Sequence, residues 1–475
     1  MAAMKKVVRG VKRLLSKKAL VERGTAQQQN RVGFCWVCGG VKTSDGRDDG
    51  DGRQERRHLI AEQVSPFRQQ VLWRKQIKEA EPEMILSLVE DHGPRFSAKN
   101  LSTAAHRLAK RGRRFSEDPR FAGLADLCKA RIEDFHAQDF ANVAWAFAKA
   151  GVAAPALFET IAAEVPRRIG DFSFHNFASI AWAFATAGET DGVAAPKLFE
   201  AIAREAPSRI DDFYSQDLAN ATWAFAKARV AAPDLFEAIA TEAPSRIGDF
   251  NSQALANTAW AFATAGVAAP QLFEAIAREA PRRIKEFNSQ ALANIAWAFA
   301  GTASVAAPDL FEAIATEAPS RIKEFSSQNL ANTAWAFAEA GVASPRLFEA
   351  IAIEARGRIN DFSAQALSNL AWAFATAGIA APDLFEAIAT EAPSRIGDFE
   401  SHDLANTACT FATAGVAAPK LFEAIAGEAS GRIGEFSSLN LANIAWAFTA
   451  AGVASPRLFE VIAGEAHKRL NELDS

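Results

Sequence analysis

The sequence has few cysteines and histidines for its length, and it lacks a long hydrophobic run. Its 475 residues include 4 cysteines and 7 histidines. Four scattered cysteines are too few for a disulfide framework, which favours a reducing compartment. No stretch approaches about 18 uncharged apolar residues, so we expect no transmembrane helix and no membrane partner.

Motifs that would indicate catalysis are also missing. The histidines form no Ser-His-Asp set, and the sequence contains no P-loop and no glycine-rich phosphate cradle. Cys35 and Cys38 have the spacing of metal ligands, but a closed zinc site needs four ligands and no second such pair follows. We therefore predict no catalytic residue, no metal, no cofactor and no small-molecule substrate. The sequence does not indicate an enzyme.

Repetition is the dominant feature of the sequence. The segment "LANTAWAFATAGVAAPQLFEAIAREAPRRIKEF", residues 255–287, recurs with small changes along most of the chain. The tryptophan of "AWAF" marks each repeat, and Cys409 replaces it once. These tryptophans are Trp145, Trp182, Trp223, Trp260, Trp297, Trp335, Trp372 and Trp446. Successive steps are 37 residues, apart from insertions predicted in turns near residues 189–192 and 304. A repeat of this length indicates stacked supersecondary units.

Each repeat is predicted to contain two helices. The first follows "FNSQ" or "FSSQ", where Asn or Ser can cap free amides, and it ends at Gly. The second begins at a proline such as Pro270, whereas Pro281 must kink it or restart it as a short extra turn. One pair cannot bury its apolar face alone, but stacked copies can. We therefore predict an all-α fold, a right-handed α-solenoid of about ten helix-pair repeats of about 37 residues.

Three regions are expected along the chain. Residues 1–60 are predicted to be a basic presequence and disordered linker, residues 61–96 to be N-terminal capping helices, and residues 97–475 to be the repeat array. The segment "MKKVVRGVKRLLSKKALVER" favours an organellar transit peptide, with a disordered basic tail as the alternative. We therefore expect location in the mitochondrial matrix or a plastid, with the cytoplasm as the alternative.

The charge is divided unequally along the chain. Residues 1–135 carry 28 Lys and Arg against 17 Asp and Glu, whereas residues 136–475 carry 24 against 39. A basic head on an acidic array is typical of targeting or of partner binding.

Two columns of the first helix have two interpretations each. We interpret the tryptophans as core residues, with base stacking as the alternative. An asparagine precedes most tryptophans by three residues, and a buried amide should be hydrogen-bonded. We expect these asparagines to tie each helix to a neighbouring turn, with contact to a ligand as the alternative. They are Asn142, Asn220, Asn257, Asn294, Asn332, Asn369, Asn406 and Asn443, with Ser179 as the exception.

An arginine column is the sharpest candidate for function. One arginine per repeat would form a stripe along a stacked array, and such a stripe could follow a phosphate backbone. The alternative is a local ion pair, since most of these arginines have Asp or Glu three residues later. The candidates for RNA contact are Arg168, Arg209, Arg246, Arg283, Arg321, Arg358, Arg395 and Arg432, and the column extends to Arg131 and Arg469.

A variable column in the first helix is the candidate for reading bases. The position before the first leucine of this helix alternates among Asp, Asn and Ala, which is compatible with one base per repeat. It is equally compatible with drift on an exposed face. The polar members of the column are Asp139, Asn176, Asp217, Asn329, Asp403 and Asn440.

The repeated segments resemble a known class of protein. "LANTAWAFA", "LFEAIA" and "RIGDF" in tandem, after "ILSLVEDHG" and "NLSTAAHRLAK", resemble helical-repeat proteins of algae and other protists. These include the octotricopeptide-type and FAST-kinase-like proteins and the domain named after the RNA-editing substrate-binding complex. The resemblance covers about residues 82–475. It implies an α-solenoid that binds single-stranded organellar RNA and influences its processing, stability or translation, and it transfers no catalytic residue.

The sequence is compatible with two functions. The first is a non-catalytic RNA-binding protein of mitochondrion or plastid. The second is a protein-interaction scaffold, which the acidic array favours because helical-repeat proteins often bind protein segments.

Overall fold

The computed structural model describes residues 65–112, 117–191, 195–302 and 306–473. The predicted presequence and linker and the Cys35–Cys38 pair lie outside these residues. The described residues contain helices and turns and no strand. They belong to two compact units. One unit runs through Asp212 and includes residues 227–232, and the other holds residues 213–226 and the chain from Pro233 onward.

The helices follow one another in pairs. Two helices come first, α1 (Pro66–Glu79) and α2 (Pro82–His92). The first helices of the pairs are α3 (Ala98–Lys110), α5 (Ala137–Ala150), α7 (Phe174–Asp191), α9 (Ser215–Ala228), α11 (Ser252–Ala265), α13 (Ser289–Gly301), α15 (Ser327–Glu339), α17 (Ala364–Thr376), α19 (Ser401–Ala414) and α21 (Ser438–Ala450). The second helices are α4 (Pro119–Ala130), α6 (Pro155–Glu164), α8 (Pro196–Glu205), α10 (Pro233–Glu242), α12 (Pro270–Glu279), α14 (Pro308–Glu317), α16 (Pro345–Gly357), α18 (Pro382–Glu391), α20 (Pro419–Gly431) and α22 (Pro456–Leu473).

The first helices begin and end where the capping residues predict. The side chain of Asn251 accepts a hydrogen bond from the amide of Ala254 at the start of α11. Gly266 ends the same helix at φ 66°, a left-handed conformation that glycine adopts without strain. One insertion differs from the prediction. Helix α7 continues to Asp191, so the residues inserted near 189 lengthen the helix instead of enlarging only the turn.

The second helices confirm the two roles predicted for proline. Pro270 occupies the first turn of α12, where its missing N–H costs nothing. Pro281 stops the α-helix, and the chain continues as a 3-10 segment, Ala280–Glu286, with non-helical angles at Arg283. Where Arg356 or Ser430 replaces this proline, α16 and α20 continue as α-helix to Gly357 and Gly431.

Helix pairs stack within each unit and bury an alanine- and phenylalanine-rich core. The first helices of neighbouring pairs pack closely, as α13 does against α15 and α15 against α17, whereas neighbouring second helices touch less. Edge-to-face pairs of phenylalanines join most second helices to the next first helix, such as Phe273 and Phe299 at 5.1 Å. The predicted fold class, an α-solenoid of helix pairs, is confirmed. No helix in the described parts of the chain is both long and apolar enough to cross a membrane.

Candidate nucleic-acid interface

One face of several first helices is left partly exposed by the stacking. In α17, Gln365, Asn369, Trp372 and Thr376 are partly or fully exposed, and nearly all other residues of the helix are buried. Their spacing of four, three and four residues places them on one helical stripe. We call this surface the indole face, defined by the columns equivalent to Gln365, Asn369 and Trp372 in the other first helices.

The tryptophans of the indole face form rows of neighbouring rings. The ring centroids of Trp297 and Trp335 are 6.2 Å apart, as are those of Trp335 and Trp372. In the other unit, Trp145 lies 6.5 Å from Trp182. The rings of each of these pairs are tilted by about 30° to one another. These distances are within the range of favourable aromatic pairs.

The prediction that the tryptophans are core residues is only partly correct. Trp182, Trp223, Trp260 and Trp297 are buried. In contrast, Trp145, Trp335 and Trp372 are half-buried, and Trp446 is 50% exposed. The indoles therefore pack against each other within the rows while several of them keep an edge on the surface.

The amides of this face form a network that the sequence did not predict. Gln138 Nε2 donates to Asn142 Oδ1 at 2.9 Å, and Gln216 makes the same bond to Asn220 at 3.0 Å. The expected link from these asparagines to a neighbouring turn is wrong at both positions, because the partner lies four residues earlier on the same helix. The glutamine makes the link between repeats, since Gln216 Oε1 accepts from Asn251 Nδ2 of the next repeat at 3.0 Å.

The indole face carries little negative charge although the array is acidic. Helices α11, α13, α17 and α21 contain no Asp and no Glu. Asp139 and Asp217 of other first helices are buried. The second helices, in contrast, expose acids such as Asp234 and Glu237 of α10. The negative charge of the array therefore lies largely on the second helices and the turns that follow them.

The arginine column lies where one repeat meets the next. The guanidinium of Arg283 donates to the backbone carbonyl of Phe250, in the preceding repeat, at 2.8 Å. It also donates to Glu286 at 2.8 Å and lies 3.7 Å from Glu279. Hydrogen bonding to Glu286 is the main reason that the pKa of Arg283 rises above its ordinary value.

The same carbonyl bond recurs along the array. Equivalent bonds to the preceding repeat are made by Arg246, Arg321, Arg358, Arg395, Arg432 and Arg469. Two arginines instead lie over phenylalanine rings, Arg168 over Phe140 at 5.6 Å and Arg209 over Phe174 at 4.3 Å. The local ion pair weighed from the sequence is present, but the bond between repeats was not foreseen. Contact of this column with phosphate stays a prediction.

Three members of the variable column, Asp139, Asn176 and Asp403, cap the first helices with their side chains. Asp139 Oδ2 accepts from the amide of His136, and its Oδ1 accepts from the hydroxyl of Ser102 at 2.5 Å. Asn176 Oδ1 accepts from the amide of Ser173 in the same way. Asp139, Asn176, Asp217, Asn329 and Asp403 are all buried, and Asn440 is partly exposed. These side chains offer a base little surface, and their role in readout stays a prediction.

A serine ladder is a further feature that sequence reasoning missed. Ser252 Oγ donates to the carbonyl of Glu286 in the next repeat at 3.0 Å, and Ser289 makes the equivalent bond to Glu324. The serine at the first helical position of most repeats could have indicated this bond, but the sequence analysis considered serine there only as a helix cap.

Two substitutions interrupt the tryptophan column. His106 takes the first place in it, 5.0 Å from Trp145, and burial is the main cause that lowers the pKa of its imidazole to about 4. Cys409 takes a later place, and burial raises the pKa of its thiol to about 11. Within the described residues, no group of three or more His, Cys, Asp and Glu is placed to hold a metal ion.

A helical-repeat protein is among the solved structures that match this chain. The pentatricopeptide repeat protein PPR10 in complex with an 18-nt psaJ RNA element matches with a TM-score of 0.26 and 13% sequence identity. A form with three cysteine-to-serine substitutions matches equally. The alignments cover 86% of this chain and 63% of the other chain, so they span less than two thirds of that protein's length. No protein of curated function matches the sequence.

The sequence matches one protein family over most of its length. The family is described as RNA-editing substrate-binding complex 6 protein, and its model matches residues 128–335 and 244–474. This range holds nine of the tryptophan-column repeats, and it agrees with the resemblance seen in the repeated segments. The chain therefore belongs to the RNA-editing substrate-binding complex 6 protein family.

Proposed function

We propose that this protein is a non-catalytic RNA-binding protein that acts in organellar RNA editing or processing, and that single-stranded RNA lies along the indole face. The family name describes a complex that binds RNA-editing substrates, which supports RNA as the ligand class. The location that we propose is the mitochondrial matrix or a plastid.

The observation that carries the proposal is the composition of the indole face. Trp335 and Trp372 keep partly exposed indoles one repeat apart, and amides of the Gln and Asn columns lie beside them. Aromatic side chains stack on bases of any sequence, and amides supply both donors and acceptors to base edges. A face that presents this combination in successive helix pairs, as at Trp335 and Trp372, suits a single strand with unpaired bases.

The distribution of charge supports RNA binding on this face in spite of the acidic array. Phosphates would be repelled by the exposed acids of the second helices, but the helices of the indole face carry few of them. Lys149 and Lys227 lie on first helices, at the position four residues after the tryptophan. A strand on the indole face therefore avoids most of the negative charge.

A charge-placement experiment tests the proposal. Asn332→Asp with Asn369→Asp adds two negative charges to the indole face with almost no change of shape. Gly248→Asp with Gly397→Asp adds the same charge to exposed positions of the turns, in a column that already contains Asp211. The probe is a fluorescein-labelled 20-nucleotide RNA pool of random sequence, measured by anisotropy at several salt concentrations.

We expect the first variant to bind RNA at least about tenfold more weakly, because each new carboxylate would face a phosphate backbone at short range. The turn variant should bind within about twofold of the unchanged protein. Equal RNA affinity of all three proteins would contradict the proposal that RNA binds on the indole face. Crosslinking in cells followed by RNA sequencing then tests the ligand class, and recovery of no RNA above background would contradict it.

The proposed location is tested separately. Residues 1–60 fused to a fluorescent reporter should carry it to mitochondria or plastids, and a diffuse cytosolic signal would contradict the assignment. The second candidate function, a protein scaffold, is favoured by the exposed acids of the second helices, such as Asp234 and Glu237. A basic protein segment would bind there. In that case the turn variant, and not the indole-face variant, should alter partner recovery.

A further inference from the structure

The row of indoles has a gap inside the array. At α19 the tryptophan column holds Cys409, so no indole lies between Trp372 of α17 and Trp446 of α21. Helix α19 is flanked on both sides by first helices, and it packs against both. The gap is therefore not a consequence of the end of the array.

The repeat that lacks the indole has the most exposed asparagine of the asparagine column. Asn406, in the asparagine column, is exposed, whereas the equivalent Asn257 and Asn294 are buried beside Trp260 and Trp297. Cys409 itself is half-buried, and its sulfur lies 3.3 Å from the carbonyl of Asn443. The gap thus presents an exposed amide where other repeats present an indole.

The gap leaves one ring out of the row. Neighbouring indoles in this unit are 6.2 Å apart where both repeats carry tryptophan, a spacing typical of aromatic pairs. A planar ring system inserted between Trp372 and Trp446 would replace the indole that the column lacks. A nucleobase is such a ring system, and it stacks on aromatic side chains.

We propose that the gap at Cys409 is a notch that takes one base of the bound RNA, between Trp372 and Trp446, with Asn406 hydrogen-bonded to the base edge. This inference rests on the proposed RNA-binding function and deepens it by naming one position of base selection. The amide of Asn406 carries a donor and an acceptor side by side, so it fits an edge with the complementary pair, as adenine presents. At Trp335 and Trp372, bases would meet partly exposed indoles and be bound with less selection.

The test fills the notch. Cys409→Trp combined with Thr410→Ala reproduces the "AWAF" of the other repeats, so the fold should accept it. The ligand is an RNA selected by the unchanged protein from a random 20-nucleotide pool. We expect the filled variant to bind this RNA at least about fivefold more weakly and to lose base preference at one nucleotide position, because one stacked base is lost.

Two further measurements distinguish base selection at the notch from RNA binding elsewhere on the indole face. Asn406→Ala should lose the same base preference, whereas Asn294→Ala, at a buried position of the column, should keep it. The RNA should also slow alkylation of Cys409 by iodoacetamide, measured by peptide mass spectrometry with buried Cys128 as the internal reference.

The outcomes separate the two proposals. A filled variant that binds as tightly, with unchanged preference at every position, would overturn the notch and leave RNA binding in place. Failure of the unchanged protein to bind any RNA of the pool would overturn both. Slower alkylation together with a lost preference in the filled variant would establish the notch.

Discussion

Replacing Arg283 by Gln tests what the arginine column does for stability. Its guanidinium donates to the carbonyl of Phe250 at 2.8 Å across the junction of two repeats, and its side chain is 24% exposed. A hydrogen bond from a charged donor contributes about 1.5–3 kcal/mol. The pair with Glu286, which is 55% exposed, adds little because water screens it. We expect the substitution to lower the free energy of unfolding by about 2–3 kcal/mol.

Two matched variants isolate the bond between repeats. Glu286→Gln removes the exposed pair and leaves the carbonyl bond, so it should change stability much less than Arg283→Gln does. Arg282→Gln changes the neighbouring arginine, which is 75% exposed, and should cost as little. Stability is measured by urea unfolding of the full chain and by native-state hydrogen exchange around Phe250, because repeat arrays can open locally. If Arg283→Gln costs no more than Arg282→Gln, the carbonyl bond does not stabilise the junction.

Contact between the arginine column and RNA phosphates is tested with a variant that changes several of its members. Replacing four of these arginines by Gln together should lower the free energy of unfolding by well over about 1–2 kcal/mol, which is the loss expected if only local ion pairs were removed. If the column also follows RNA, the slope of log affinity against log salt should flatten by about 0.7 per lost contact. An unchanged affinity and slope would assign the column to the fold alone. The variant changes Arg246, Arg283, Arg321 and Arg358.

Three further substitutions test local features. Thr258→Val should raise the free energy of unfolding by about 1–3 kcal/mol, because the buried hydroxyl of Thr258 has no hydrogen-bond partner. Thr222→Val should not raise it, because the hydroxyl of Thr222 donates to backbone carbonyls of its own helix. Arg229→Gly should stabilise by about 1 kcal/mol in chemical unfolding, because Arg229 has φ 55° where other repeats have glycine. This left-handed conformation costs a residue with a Cβ about 1–2 kcal/mol, partly offset by the backbone freedom that glycine loses on folding. A hydrogen bond to Asp403 raises the pKa of His402. Its stabilisation is therefore complete below the ordinary value of 6.5 and is lost as the pH rises through the raised value, so the Tm should fall over this range by more than in His402→Gln.

The sequence by itself determined the helix pairs and their order. Asparagine and serine caps, Pro270 at a first turn, Pro281 as a stop and Gly266 as an end each act within one or two turns of the chain. Their effect does not depend on what packs against the helix. A repeated pattern of such local signals, with apolar faces that no single pair can bury, leaves stacking as the way to form a core.

The tertiary structure decided which side of each helix is available to a ligand. The partner of Arg283 is a backbone carbonyl 33 residues earlier, and no residue type marks a carbonyl in the sequence. Asp139 belongs to a column whose residue type varies as that of a base-reading position would, yet its side chain is buried at the start of a helix. The tryptophans look like core residues by composition, but the stacking leaves Trp372 partly exposed and Asn406 exposed. Exposure depends on the distance between stacked helices, which side-chain packing sets and a one-dimensional pattern does not contain.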